Sequence, residues 1–334
     1  MAAISPPAQT QDTRVVVPRK SRVRRILDDL YPYGYIAPSI AFMIIASFFP
    51  IVFTLVIAFT NYGNGHFINN IPFSSTGVGA VNWVGWSNFQ QIFSIDLPDF
   101  IPVLIWTVVF AALSTLVNFI GGLILAYLLN NENMWERNLY RTILIIPWAL
   151  PGVIAILAWG QGILQPGGLI DSILTDLHIA APDFLLDNNW SRFWVIGVNF
   201  WLGYPFMMTA CLGALQSISP EVLQAAEIDG ANGLQKFFRV TLPLLRSATL
   251  PLVIATFAYN MNNFGIVYLL TTGGPLINFS RGATDILPTF VYKLATGSEP
   301  YYGLACAYGV LIFVIIGSLS AVNMKLSGAF EEVN

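Results

Sequence analysis

Six long stretches of this chain contain no Asp, Glu, Lys, Arg or His: residues 39–60, 101–129, 143–163, 193–215, 247–270 and 302–323. An α-helix needs about 20 residues to cross the roughly 30 Å hydrocarbon core of a bilayer, at about 1.5 Å per residue. Each stretch is long enough to do so. The sequence therefore predicts an all-α membrane protein with six transmembrane helices.

The composition agrees with a membrane protein. Charged residues make up 10% of the 334 residues, against roughly 25% in a soluble domain. The net charge of -3 provides no broad basic surface for nucleic acid. Both cysteines lie in apolar stretches, where a disulfide is not expected. The first apolar stretch follows a basic segment without a small-residue cleavage site, so we expect a retained helix and not a cleaved signal peptide.

Lys and Arg are distributed unequally between the two sides that this topology defines. Twelve of the 15 lie on the side of the N-terminus, and the other side has only Arg192, Arg281 and Lys293. Basic residues accumulate in short cytoplasmic segments. Both termini are therefore predicted to be cytoplasmic.

Three regions follow from these boundaries. We expect a cytoplasmic tail at residues 1–35, a transmembrane domain at 36–325 and a second cytoplasmic tail at 326–334. Within the first tail, residues 19–31 are either a basic amphipathic helix held on anionic lipid or a positively charged flank with no other role.

The connection at residues 216–246 contains helix start and stop signals. Ser219 followed by Pro220 is typical of a helix N-terminus, because the hydroxyl can cap and the proline needs no amide bond there. Gly230 can adopt the left-handed conformation that ends a helix. The segment between them predicts a short helix.

A second short helix is predicted directly afterwards. Asn232 and Gln235 have the spacing of a capping box, and Pro243 is expected to end this helix. The result is a helix-turn-helix elbow on the cytoplasmic side. Its small apolar face either binds another protein or packs on the helices of this chain.

The fourth and fifth apolar stretches contain polar side chains that are candidates for a binding site. Asn199 lies in the fourth, whereas Thr256, Tyr259, Asn260 and Asn263 follow the spacing of one helical face in the fifth. Amides and hydroxyls near aromatic rings suit a neutral sugar. The same groups can also join neighbouring helices by hydrogen bonds. Residue patterns alone leave both interpretations open.

The sequence also limits the source of energy. The six stretches contain no carboxylate or histidine to relay a proton, and no Lys follows a Gly as a phosphate-binding loop requires. His66 and His178 lack the spacing of a metal site and are expected to be solvated. No catalytic constellation is present, so energy for transport is expected from another chain.

The stretch QAAEIDGANGLQKFFRVTLPLL resembles the cytoplasmic EAA signature of permease subunits in binding-protein-dependent ABC importers. That signature is E-A-A-x-x-D-G-A followed by F and T-L-P. Gln224 stands where the family has its first Glu, so a neutral amide replaces a charged group. NFWLGYPFMMTACLGALQSI and FAYNMNNFGIVYLLTTGGP are similar to the larger permease subunit of maltose and maltodextrin importers.

The resemblance implies a type I ABC importer permease fold in a bacterial or archaeal cytoplasmic membrane. The partners it implies are a second, different permease subunit, two ATPase subunits that hold ATP and Mg, and an extracytoplasmic sugar-binding protein. This chain is then a transport subunit and not an enzyme, with no cofactor or metal of its own. The residues implied in coupling to the ATPase are Gln224, Ala225, Ala226, Asp229, Gly230 and Ala231.

The resemblance also implies a substrate site, because the matching stretches of maltose-type permeases contribute one. Its residues here are Asn199, Leu202, Gly203, Phe206, Thr256, Tyr259 and Asn260. The expected substrate is a maltose- or maltodextrin-like oligosaccharide, and trehalose or longer glucans fit the same groups. An ion-coupled secondary sugar carrier and a membrane scaffold without transport of its own are the alternatives.

Overall fold

The computed structural model describes residues 22–63, 81–131, 133–278, 281–297 and 300–326. Its helices are α1 Arg22–Met43, α2 Phe49–Ile57, α3 Ser87–Ser94, α4 Leu97–Leu129, α5 Arg137–Ala149, α6 Gly152–Leu157, α7 Leu169–Asp176, α8 Asn188–Gln216, α9 Pro220–Ile228, α10 Gly233–Lys236, α11 Leu242–Met261, α12 Phe264–Thr271, α13 Leu287–Thr296 and α14 Tyr302–Leu326. Within the described ranges, isolated β-bridges are the only extended pairing. The predicted all-α fold is confirmed.

Several expectations concern residues outside these ranges. They are the N-terminal tail as far as residue 21, the loop segment that contains His66, and the C-terminal residues 327–334. The described chain begins at Arg22, inside the expected surface helix, and α1 continues from there without interruption into the first apolar stretch.

Six helical segments of the described chain are long and apolar enough to cross a membrane, which is the number expected. They are Tyr33–Ile57, Leu97–Leu129, Gly152–Asp176, Asn188–Gln216, Gly233–Met261 and Tyr302–Val322. The third and fifth differ most from the predicted bounds, because the chain is broken within both predicted stretches.

The predicted third helix is broken and not merely kinked. α5 contains Pro147 but ends at Ala149, Leu150 is extended with φ -79° and ψ 144°, and Pro151 caps α6. The residue before a proline is disfavoured in the α conformation, which explains the extended Leu150. The predicted fifth helix is interrupted in turn between α11 and α12, at Asn262 and Asn263.

A proline follows each π-helical segment closely. These segments are Ile44–Phe48, Ala158–Leu164 and Phe237–Thr241. Pro50, Pro166 and Pro243 each stand two residues beyond one of them. Pro50 and Pro243 lie in helices that continue past them, where a proline lacks an N–H and crowds the preceding turn, and a wider turn relieves both problems. Pro166 instead follows the extended residue Gln165, where the helix has already ended. The expectation that Pro243 ends the second elbow helix is wrong: the helical path continues through Phe237–Thr241 into α11.

Contacts divide the chain into two compact units, residues 1–53 and 54–334. In the first unit, the described side chains from Tyr31 onward are exposed, as in a helix that is apolar on all sides and surrounded by lipid. In the second unit, α4 packs along α8. A Cβ atom at Gly122 would lie 2.6 Å from Cβ of Met207, so the close approach of these helices requires glycine.

Candidate functional site

A cavity of about 540 Å³ lies in the second unit between α4, α5, α6, α8, α11 and α12. Its lining includes every residue that the sequence selects for substrate binding: Asn199, Leu202, Gly203, Phe206, Thr256, Tyr259 and Asn260. The described lining contains no Asp, Glu, Lys, Arg or His. Such an uncharged lining of amide, hydroxyl and aromatic groups suits a neutral polar molecule.

Both breaks in the membrane helices border this cavity. Leu150 lines it between α5 and α6, and Asn263 lines it between α11 and α12. Irregular backbone at membrane depth is tolerated where it is buried in protein or lines a cavity. All four residues of the predicted polar face line the cavity: Thr256, Tyr259, Asn260 and Asn263. They do not belong to one continuous helix, because α11 ends at Met261, before Asn263.

Buried asparagines from three helices form a row of hydrogen bonds at the cavity wall. Asn118 of α4 donates from Nδ2 to Oδ1 of Asn199 in α8 at 3.3 Å. Asn199 donates from Nδ2 to Oδ1 of Asn260 in α11 at 3.1 Å. Asn260 donates from Nδ2 to Oγ1 of Thr115 at 3.1 Å. Thr115 lies one turn before Asn118, so the row starts and ends on α4, and we call these four residues the amide ring.

The sequence left two interpretations of the membrane asparagines open, sugar binding and the joining of helices, and the amide ring is relevant to both. Asn199 and Asn260 join three helices by hydrogen bonds, and they also line the cavity. A carboxamide offers two N–H groups and two lone pairs. The ring uses one of each on both residues, so each amide keeps one N–H and one lone pair for another partner.

Aromatic side chains contribute the flat part of the lining. The ring of Phe206 lies 6.4 Å from the ring of Trp148, measured between centroids. Tyr259 is 66% exposed and faces the cavity. Trp201, next to the lining residue Leu202 in α8, lies outside this lining, and its ring centroid is 5.7 Å from that of Trp159.

Asn118 and Trp148 are among the lining residues that were not selected from the sequence. A signal for Asn118 was present, because Ser114, Thr115 and Asn118 are a polar cluster inside the long apolar helix α4. Polar groups at bilayer depth tend to face a cavity or another helix. Trp148 had no signal that separates it from an ordinary membrane tryptophan.

The helix-turn-helix elbow between α8 and α11 is confirmed. Gly230 adopts φ +79° directly after α9, the left-handed conformation expected of it. The capping box of α10 is complete: Gln235 N donates to Asn232 Oδ1 at 2.9 Å, and Asn232 N donates to Gln235 Oε1 at 3.0 Å. Ser219 precedes α9, but its hydroxyl bonds the carboxylate of Glu221 and not the helix backbone.

The elbow presents an exposed surface. Of the residues selected for ATPase coupling, Gln224, Ala225, Asp229 and Gly230 are exposed, and Ala226 and Ala231 are half-buried. Ile228 is 87% exposed and Leu234 is 72% exposed. An ion pair between Glu227 and Lys236 links α9 to α10. Neighbouring exposed apolar side chains with a charged rim are typical of a protein-binding surface.

Residues 118–328 match the family described as "Binding-protein-dependent transport system inner membrane component". The galactooligosaccharides transport system permease protein GanP of Bacillus subtilis is 35% identical over 97% of this chain and 76% of its own length. The maltodextrin transport system permease protein MalC of Streptococcus pneumoniae serotype 4 is 33% identical over 95% of this chain and 74% of its own. A chain of a bacterial ABC transporter involved in alginate import superposes with a TM-score of 0.75 at 21% identity, covering 92% of this chain and 98% of that one.

Proposed function

Because this chain belongs to the binding-protein-dependent transport system inner membrane component family, we propose that it forms half of the membrane passage of an ATP-driven importer for maltodextrin-like oligosaccharides. It is a multi-pass membrane protein with the permease fold. The observation that carries the proposal is the uncharged cavity, in which buried amides lie beside exposed aromatic rings.

The substrate class follows from the chemistry of the cavity. Its volume of about 540 Å³ falls in the range of small-molecule sites. In this proposal Asn199, Asn260 and Thr256 bind sugar hydroxyls, because amides and hydroxyls both donate and accept. Phe206 and Tyr259 pack on the apolar faces of the sugar rings. Leu202 and Gly203 complete the wall. Of the oligosaccharides named for the two relatives, we assign maltodextrin.

The elbow is proposed to receive force from an ATPase. Gln224, Ala225, Ala226, Asp229, Gly230 and Ala231 form the proposed docking segment. Its exposed Ile228 supplies an apolar anchor of the kind that dominates interfaces. ATP and Mg bind the partner ATPase, since no Lys follows a Gly in this chain.

The complex proposed around this chain contains a second, different permease subunit, two ATPase subunits and an extracytoplasmic sugar-binding protein. Both termini of this chain are cytoplasmic in the proposed topology, which follows the excess of Lys and Arg on that side. The membrane is the cytoplasmic membrane of a bacterium or archaeon.

Reconstitution tests the proposed function directly. The complex is assembled in liposomes with candidate ATPase, permease and binding-protein partners, and ATP hydrolysis is measured with a panel of neutral and charged sugars. We expect stimulation by a maltodextrin together with its binding protein. Uptake by this chain alone, driven by a sodium gradient, would instead establish the ion-coupled carrier.

Gly230→Ala is expected to reduce coupling between the elbow and the ATPase. The left-handed conformation costs a residue with a Cβ roughly 1–2 kcal/mol, so sugar-stimulated ATP hydrolysis should fall about fivefold or more. Gly233→Ala is the matched control. A Cβ atom at either position meets nothing within 4 Å, and only Gly230 has a positive φ. Equal activity of the two variants would contradict the prediction.

A further inference from the structure

We propose that Asn118 is a positioning residue for the sugar site, and that Gly203 is required because it leaves room for the Asn118 amide. The proposal rests on the proposed function. It assigns Asn118 the task of orienting Asn199, and through Asn199 also Asn260, so that their remaining hydrogen-bonding groups meet a sugar in one arrangement.

The amide ring provides the first argument. An unrestrained carboxamide can rotate by half a turn and exchange its donor for its acceptor. Asn118 Nδ2 bonds Oδ1 of Asn199 at 3.3 Å, which turns Nδ2 of Asn199 toward Asn260 at 3.1 Å. Asn260 continues the row by donating from Nδ2 to Oγ1 of Thr115 at 3.1 Å. Asn118 therefore stands at the start of a directional row, and its loss frees the next amide to rotate.

The second argument is the cost of placing an amide at this position. Asn118 is 2% exposed, and its Oδ1 has no hydrogen-bond partner among the described residues. A buried polar atom without a partner is destabilising, whereas an apolar side chain of the same size would fill the space without that cost. What the amide adds to filling this space is its hydrogen bond to Asn199.

Gly203 provides the third argument. A Cβ atom built on Gly203 would meet three atoms of one group: Nδ2, Cγ and Oδ1 of Asn118, at 2.5, 2.9 and 3.0 Å. The space that glycine leaves in α8 is thus occupied by the Asn118 amide. Gly203 also lines the cavity. A side chain at this position would nevertheless displace the Asn118 amide, so we expect its main effect on the sugar site to act through Asn118.

Sugar affinity in the assembled complex tests the role of Asn118. Asn118→Ala, and Asn118→Leu, which keeps the volume, should each raise the KM for sugar uptake about tenfold, the size expected for one misdirected hydrogen bond. The amount of purified complex should match that of the unsubstituted protein. Ser114→Ala is the matched control, because its hydroxyl is also buried on α4 but has no hydrogen-bond partner in the described structure.

A double variant tests the pairing with Gly203. Gly203→Ala alone should raise the KM as much as Asn118→Ala, whereas Asn118→Ala with Gly203→Ala should be no worse than Asn118→Ala alone. The reason is that the new methyl group occupies the space that the amide has vacated. Additive losses in the double variant would show that Gly203 acts on the sugar independently and would overturn this assignment.

Two further outcomes separate this proposal from the proposed function. Thr256→Ala and Tyr259→Ala change cavity residues outside the amide ring. If both raise the KM but Asn118→Ala only reduces the amount of complex, then Asn118 merely joins helices and the positioning role is wrong. If neither they nor the Asn118 variants change the KM, the cavity is not the sugar site and both proposals fall.

Discussion

Asn260→Ala is expected to abolish sugar uptake, with a loss of about a hundredfold or more, while the complex still assembles. Asn260 is 1% exposed and lines the cavity in the last turn of α11. Its removal deletes the proposed sugar contacts and also leaves Asn199 and Thr115 without their shared partner. Each lost hydrogen bond of about 1.4 kcal/mol is a tenfold change.

A neighbouring asparagine supplies the control for this prediction. Asn262 directly follows α11, is exposed, lies outside the described cavity lining and donates to the carbonyl of Ala258 in α11 at 3.4 Å. Asn262→Ala should therefore transport normally. Uptake at different sugar concentrations and the yield of purified complex are measured for both variants. Normal transport by Asn260→Ala would remove this residue from the sugar site.

The parts of the fold that could be predicted depend on local signals. The number of spans follows from uncharged length alone. The elbow follows from residues that determine their own backbone: Gly230 permits a left-handed turn, and Asn232 pairs with Gln235 three positions later. These signals act within a few residues, so no knowledge of the packing was needed.

The parts that were missed depend on packing between distant segments. Nothing near Asn118 in the sequence indicates that its amide meets Asn199, because the rotation of α4 against α8 decides that contact. The break at Asn262 and Asn263 likewise lies where residues on both sides of it line a cavity, a position at which irregular backbone is tolerated. The seven residues selected from sequence do line one cavity, and their role in binding stays a prediction.

Basic residues of the sparsely charged side give a further example. The prediction of membrane orientation uses Arg192 and Lys293 only as positive charges. In the structure both hold the loop between α12 and α13. Arg192 donates from Nε to the carbonyl of Ala283 at 2.8 Å, and Lys293 donates from Nζ to Oδ2 of Asp285 at 2.7 Å. These roles depend on the packing of the loop against α8 and α13, which local sequence patterns do not determine.

Asp285→Ala is expected to cause the largest loss of stability among these variants, because its carboxylate organises this loop. The side chain of Asp285 is fully buried and accepts hydrogen bonds from Gly282 N at 2.6 Å, Thr289 Oγ1 at 3.0 Å and Lys293 Nζ at 2.7 Å. Its removal leaves the buried N–H of Gly282 without an acceptor, which costs about 1–3 kcal/mol. It also leaves Lys293 without its ion-pair partner, and because that side chain is 28% exposed, water compensates part of this second loss. The thermal unfolding temperature of the purified complex measures the loss.

Two comparison variants identify the cause of this loss. Asp285→Ala combined with Lys293→Met should recover part of the stability, since no unpaired charge then remains, although Gly282 N still lacks its acceptor. Glu227→Gln weakens the exposed pair with Lys236 and should change stability by about 1 kcal/mol or less. If Asp285→Ala unfolds at the same temperature as Glu227→Gln, the buried carboxylate does not hold this loop, and the bonds from Arg192 and the loop backbone suffice without it.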